Sequence, residues 1–125
     1  MKSLSVKAVV ILFAMGLTIC YAEAWAAEWK EFVEATTGVF HYDAANISSP
    51  SQGFVRVWMH NVTKNETTHV EINCKDRTYR VLDVIQYDEA RRIKSRDTYY
   101  DHPAPTWFNI TPKSVPEPLH SIVCP

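Results

Sequence analysis

Chemistry in a protein needs side chains that titrate, ligate or attack, and this chain offers few of them. Its histidines are His41, His60, His69, His102 and His120. None stands in an HExxH or H-x-H pattern, the spacings that bring two imidazoles to one metal. Asp101-His102 adjoins aromatic residues, but no serine or cysteine is placed beside it to act as a nucleophile. After the leader described below, the glycines are Gly38 and Gly53 alone, too few for a loop that cradles phosphate. The inventory argues against an enzyme and calls for no metal site or cofactor.

Two constellations remain, and both depend on strands lying side by side. With a first hairpin turn at Lys64-Asn65, His60 lies opposite His69 and Trp58 sits one step inward. Two imidazoles across a strand pair can share a metal, or one can ligate haem iron while the indole stacks beside it. The plain alternative is two exposed histidines near a hairpin tip. With a second turn at Asp76-Arg77, Arg56 and Arg80 both flank Asn73, each one diagonal step from Glu71. That predicts an Arg56–Glu71–Arg80 cluster across three strands with Trp58 packed beside it. Its alternative is a set of solvated charges worth about 0–1 kcal/mol per pair.

The elements that must hold these residues are legible in Gly53 to Gln86. Val55, Val57 and Met59 alternate with Arg56, Trp58 and His60; Val70, Ile72 and Cys74 with His69, Glu71 and Asn73; Tyr79, Val81 and Ile85 with Arg80, Leu82 and Val84. Such alternation in residues rich in Val, Ile, Tyr and Trp predicts three half-buried strands. The polar breaks Lys64-Asn65-Glu66 and Lys75-Asp76-Arg77 are short enough for hairpins. The expected register sets Val55, Val57 and Met59 opposite Cys74, Ile72 and Val70, on one shared face.

The flanks extend this meander. Trp29 to Glu34 and Val39 to Asp43 read as two more strands around Thr36-Thr37-Gly38. Asp88 to Asp97 carries Arg91, Arg92, Lys94 and Arg96 and suits a charged edge strand, because charge discourages edge-to-edge pairing. Tyr99 to Trp107, with Pro103 and Pro105, reads as a loop. Ser114-Val115-Pro116-Glu117 has the form of a capping box, with Ser114 as N-cap. It opens a short helix with an apolar stripe of Val115, Leu119, Ile122 and Val123. Pro118 then removes the first intrahelical bond. The fold class is α+β and mainly β: an antiparallel meander of five to six strands with a C-terminal helix on one face. Val55, Val57, Met59, Val70, Ile72, Val81 and Ile85 are expected beneath that helix.

Residues 1–26 read as a signal peptide. Lys2 and Lys7 precede the apolar run Ala8 to Ile19, and Ala24-Trp25-Ala26 supplies a small-residue cleavage site. Cys20 offers a lipoprotein leader as the rival, although bulky Ile19 stands where a small residue is expected. The apolar run is shorter than the ~20 residues of a membrane-spanning helix. Residues 27–125 then form one small domain, exported to the periplasm, the cell surface or the medium. Removing Lys2, Lys7 and Glu23 from 13 basic and 14 acidic residues leaves 11 and 13, net −2 with neutral histidines. That balance excludes nucleic acid as a partner. Without Cys20 the cysteines are Cys74 and Cys124, most simply one disulfide in an oxidising compartment. No partner spacing supports the alternative of a two-cysteine metal site. The bridge would close a loop of about 50 residues, worth roughly 4 kcal/mol of unfolded-state entropy.

Trp29-Lys30-Glu31-Phe32, Val55-Arg56-Val57-Trp58, Val70-Glu71-Ile72-Asn73-Cys74 and Arg77-Thr78-Tyr79-Arg80 occur in that order. Trp107, Ser114, Leu119 and Val123-Cys124 complete the set. This pattern resembles the surface-adhesin protein E family of small exported bacterial proteins. The resemblance implies a mainly antiparallel sheet with a C-terminal helix and a disulfide. It also implies binding to extracellular-matrix proteins such as vitronectin and laminin, and in some members to haem. The acceptor patterns at Asn46, Asn61, Asn65 and Asn109 are read as turn chemistry rather than glycosylation.

Overall fold

The computed structural model describes residues 26–100 and 106–125. The expected signal peptide, but for its last residue, and Asp101-His102 lie outside the described residues. In chain order the elements are β1 (Trp29–Ala35), β2 (Gly38–Asp43), β3 (Phe54–Asn61), β4 (Glu66–Asn73), β5 (Thr78–Tyr87), β6 (Ile93–Thr98), β7 (Phe108–Asn109) and α1 (Pro116–Val123). The first six strands form an antiparallel sheet in sequence order, and β7 pairs with β5. This is the mainly β meander with a C-terminal helix that the alternation predicts, enlarged by the two-residue β7. β7 takes the end of β5 at Thr78 and Tyr79, where β6 does not reach.

Both central hairpins turn one residue earlier than expected, which moves each pairing by two. Asn61 pairs with Glu66 and Asn73 with Thr78, so each turn has four residues. The two turns are built alike. Asn61 Oδ1 accepts the Lys64 N–H at 3.1 Å, and Asn73 Oδ1 accepts the Asp76 N–H at 3.2 Å. The fourth turn residue, Asn65 in one and Arg77 in the other, has a positive φ, 54° and 52°. An asparagine that mimics a backbone turn therefore opens each hairpin. The register becomes Val55 to Ile72 and Val57 to Val70, rather than Val55 to Cys74 and Val57 to Ile72. A shift of two preserves parity, so the apolar sets still share a face.

A β-bulge at Leu82 breaks the second alternation. Val70 pairs with Val81 but His69 with Asp83, leaving Leu82 as the extra residue. An extra residue flips every side chain beyond it. Ile85 therefore does not lie beneath the helix; it faces the other side of the sheet, opposite Thr67. Leu82 is buried all the same, at 2% exposure.

The core gathers on the helix side. Val57, Val70, Ile72, Ile110 and Leu119 form it, with Phe32, Tyr42, Met59, Tyr79, Val81 and Val123 packed around them. Within the expected stripe of α1, Leu119 is fully buried while Ile122 is 47% exposed. The capping box is not made: Val115 is the N-cap with no side-chain cap, and Ser114 Oγ donates to the Thr111 carbonyl instead. Starting one residue later puts Pro116 at N1 and Pro118 at N3. Both missing N–H groups are then among those a helix leaves unpaired anyway. Cys74 and Cys124 are joined, 5.7 Å apart at Cα, and tie the end of α1 to the β4–β5 turn. His120 Nε2–H adds a bond to the Cys74 carbonyl at 3.0 Å.

Gly38 opens β2 with φ +143°, and a Cβ there would meet Asn61 Oδ1 at 2.3 Å. Asn61 has nowhere to go. It is buried, donates Nδ2–H to the Thr37 carbonyl and accepts from Lys64 N–H. Gly38→Ala is expected to destabilise the protein by about 1–3 kcal/mol in urea unfolding, from strained backbone and overpacking. Placed in an Asn61→Ala background, the same substitution should cost measurably less.

Candidate functional site

The face of the sheet away from α1, here the open face, carries the polar half of every central strand. Its side chains form cross-strand rows. In the first, Glu71 on β4 stands directly between Arg56 on β3 and Arg80 on β5. Arg56 Nε–H donates to Glu71 Oε2 at 2.7 Å and Arg80 Nη2–H to Oε1 at 2.9 Å. The Glu71 side chain is 4% exposed, against 32% and 21% for the arginines. The earlier turns explain the arrangement: both arginines oppose Glu71 rather than Asn73, so direct pairing replaces the diagonal contacts expected. The aromatic ring on this cluster is Trp107, 4.6 Å from the Arg80 guanidinium. Trp58, expected there, sits one row further along.

In that second row Trp58 opposes His69, and their rings stack at 4.3 Å with planes 6° apart. His69 Nδ1 is hydrogen-bonded to the Tyr100 hydroxyl, which reaches it from just beyond β6. Burial pushes the His69 imidazole down to about 4, helped by Arg56 and opposed by Asp83 and Glu71. Burial first, and Asp83 next, push the Tyr100 hydroxyl up. The two shifts agree: a neutral imidazole accepts from a protonated phenol. The bulge at Leu82 delivers Asp83 to this row. Fully buried, Asp83 takes both ends of the Arg96 fork at 2.6 and 3.2 Å and the Thr98 hydroxyl at 3.3 Å.

The third row crosses β1 to β5 as Glu31, His41, His60, Thr67 and Ile85. His60 therefore does not oppose His69; it opposes His41 on one side and Thr67 on the other. Its Nδ1 bonds Thr67 Oγ1 at 2.8 Å, and the Trp29 ring lies 5.7 Å from it. Burial and then the nearby His41 lower its pKa, while the Glu66 carbonyl acts the other way. Trp29, His41, His60, Thr67, Tyr87 and Arg91 line a groove of about 470 Å³. Contributions from β1 through to the β5–β6 turn make this face concave at that end. A second, more apolar groove of about 480 Å³ lies on the helix side between Val81, Val84, Tyr99 and Phe108.

The structure thus joins Trp58 to His69 and Arg56 to Glu71 and Arg80, and separates His60 from His69. Sequence reasoning missed Trp29, His41 and Tyr100. Trp29 and His41 belong to strands read only as flanking elements. Tyr100 comes from a segment read as loop, and its one signal was an aromatic pair leading out of a charged strand. A family model described as surface-adhesin protein E matches residues 29–125. No curated protein and no solved structure matches the chain significantly.

The sign of the His69 effect follows from its lowered pKa. Unfolded, the ring takes its proton near pH 6.5; folded, only near 4. Stability from this group is full above pH 6.5 and is lost as pH falls through 4. Urea unfolding at pH 7 and pH 4 should show a loss on the order of 1–3 kcal/mol that His69→Gln does not share. An NMR titration should place the folded imidazole near pH 4.

Proposed function

The chain belongs to the surface-adhesin protein E family, and from that membership we propose that it is an exported, non-enzymatic binding module whose open face engages extracellular-matrix proteins of the vitronectin and laminin kind. The observation that carries this reading is the composition of that face. Trp58, Arg56 and Arg80 lie on adjoining rows of one sheet, Trp107 and Tyr100 contact those rows, and among the described residues no helix covers them. Trp, Tyr and Arg are the side chains that dominate binding energy at protein interfaces. Here they are also held in place. The arginines are fixed by Glu71 and the indole of Trp58 by His69, so little rotamer freedom is left to lose on association. Among the described residues no helix is long and apolar enough to cross a membrane. Such partners are met outside the cell, so the reading also requires delivery to the surface or the medium.

A second reading, a small-ligand or haem binder, draws on the groove. With Nδ1 of His60 engaged by Thr67, Nε2 is the ring nitrogen left for a ligand, and the Trp29 ring borders it. His69 fits this role less well, being stacked on Trp58 and bonded to Tyr100. Haem, when bound, would supply its own redox and oxygen chemistry; the chain's part is to ligate and shield it.

Immobilised vitronectin and laminin should capture the protein. Trp58→Ala should weaken capture about tenfold or more, while Phe108→Ala on the helix side should leave it unchanged. Capture by neither ligand, or equal loss in both variants, rejects the open face. A haem difference spectrum that is present in the protein and lost in His60→Ala favours the second reading.

A further inference from the structure

We propose that the row Glu31, His41 and His60 is a binding site for a divalent transition-metal ion of the zinc class, a role separate from protein binding and from haem. The register sets these three side chains on adjacent strands of one face, with His41 directly between Glu31 and His60. Side chains directly opposed across antiparallel strands have Cβ atoms about 4.5–5.5 Å apart, a span that two imidazoles bridge when both bind one ion. Two histidines and a carboxylate are a donor set that such ions accept, with further positions left to water.

Three observations point the same way. First, His60 is already oriented. Its Nδ1 is bonded to Thr67 Oγ1 at 2.8 Å, and Thr67 is itself buried. Ligating histidines characteristically have their second nitrogen held in this manner, which aims the first. Second, His41 and Glu31 are unspent. Among the described residues no side chain hydrogen-bonds His41, and Glu31 is exposed and makes no ion pair. Other carboxylates of the open face differ: Glu71 and Asp83 are consumed by arginines, and Asp43 by Asn46 and the backbone of Glu28 and Ala45. Third, His41 and His60 line the groove beside Trp29, so the ion has room and a route. Among the described residues no three such groups already converge on one point. The exposed Glu31 side chain must therefore swing onto the ion, which a surface carboxylate does at small rotamer cost.

Calorimetric titration of the untagged protein with Zn²⁺ tests the assignment. We expect saturable binding that Ca²⁺ does not reproduce, because calcium takes oxygen donors and disfavours imidazole. His41→Gln and His60→Gln should each weaken Zn²⁺ by about tenfold or more, Glu31→Gln by less, and His69→Gln not at all. Far-UV circular dichroism checks that each variant is folded. Among the described residues the His41 side chain has no hydrogen bond to lose, so its variant decides the matter even if His60→Gln does not fold. Absence of saturable Zn²⁺ binding, or equal affinity in the protein and in His41→Gln, overturns the proposal. Unchanged affinity in Glu31→Gln removes the carboxylate from the set.

Discussion

A sheet has two faces, and among the described residues one eight-residue helix is there to cover them. Most else in the structure answers to that constraint. The helix side follows ordinary hydrophobic economy, with Val57, Val70 and Ile72 sealed by Leu119 and Ile110. Among the described residues no helix covers the open face, yet Glu71 and Asp83 are buried there. A buried carboxylate is tolerable only when its lone pairs are met. Two arginines flank Glu71 across the strands, and the Arg96 fork with Thr98 closes on Asp83. Side chains that sequence reading would leave in solvent become the packing of that face.

The Arg–Glu–Arg row need not stabilise the fold more than a well-packed apolar row would, since desolvation offsets much of the attraction. Its effect is positional. Each arginine is fixed by a partner that cannot move, and the Arg80 guanidinium is also covered by Trp107. Among the described residues, Arg80 Nε is buried without a hydrogen-bond partner, a local cost carried by the same arrangement. The face is accordingly stiff where it is most charged, and more open toward the groove at Trp29.

Alternation made the strands legible, because burial on one face leaves a mark at every second residue. Partner identity was less legible. Asn61 and Asn73 each open a four-residue turn closed by a residue of positive φ, and the spacing of Asn61 and Asn73 from Asn65 and Arg77 was the available signal. Counting the turns from their most polar residues moved both registers by two, which kept the faces but exchanged the neighbours. That is why the Arg56–Glu71–Arg80 grouping survived while the His60–His69 pair did not. The mark of the bulge at Leu82 was Asp83, a carboxylate in the alternate set of Tyr79, Val81 and Ile85 that was expected beneath the helix. The capping box failed for a local reason: Ser114 bonds back to Thr111, a competing turn that the motif does not reveal. His41 opposite His60 required knowing that β2 pairs with β3 across the long loop between them, information carried by the fold alone.

The joining of Cys74 to Cys124 has a consequence for the order in which the molecule assembles. The hairpins of the meander are local contacts, and local contacts form early. Leu119 must cross from the end of the chain to meet Val57 and Val70, so sealing the core waits until every strand has been made. A bond spanning 50 residues removes most of that search once it forms. Before oxidation the strands can pair while their apolar side stays bare, a state suited to chaperones and exposed to proteases. After oxidation the helix is never far from its seat. The bridge thus holds closed, over the apolar side of the sheet, a cover that the rest of the chain brings from far along the sequence.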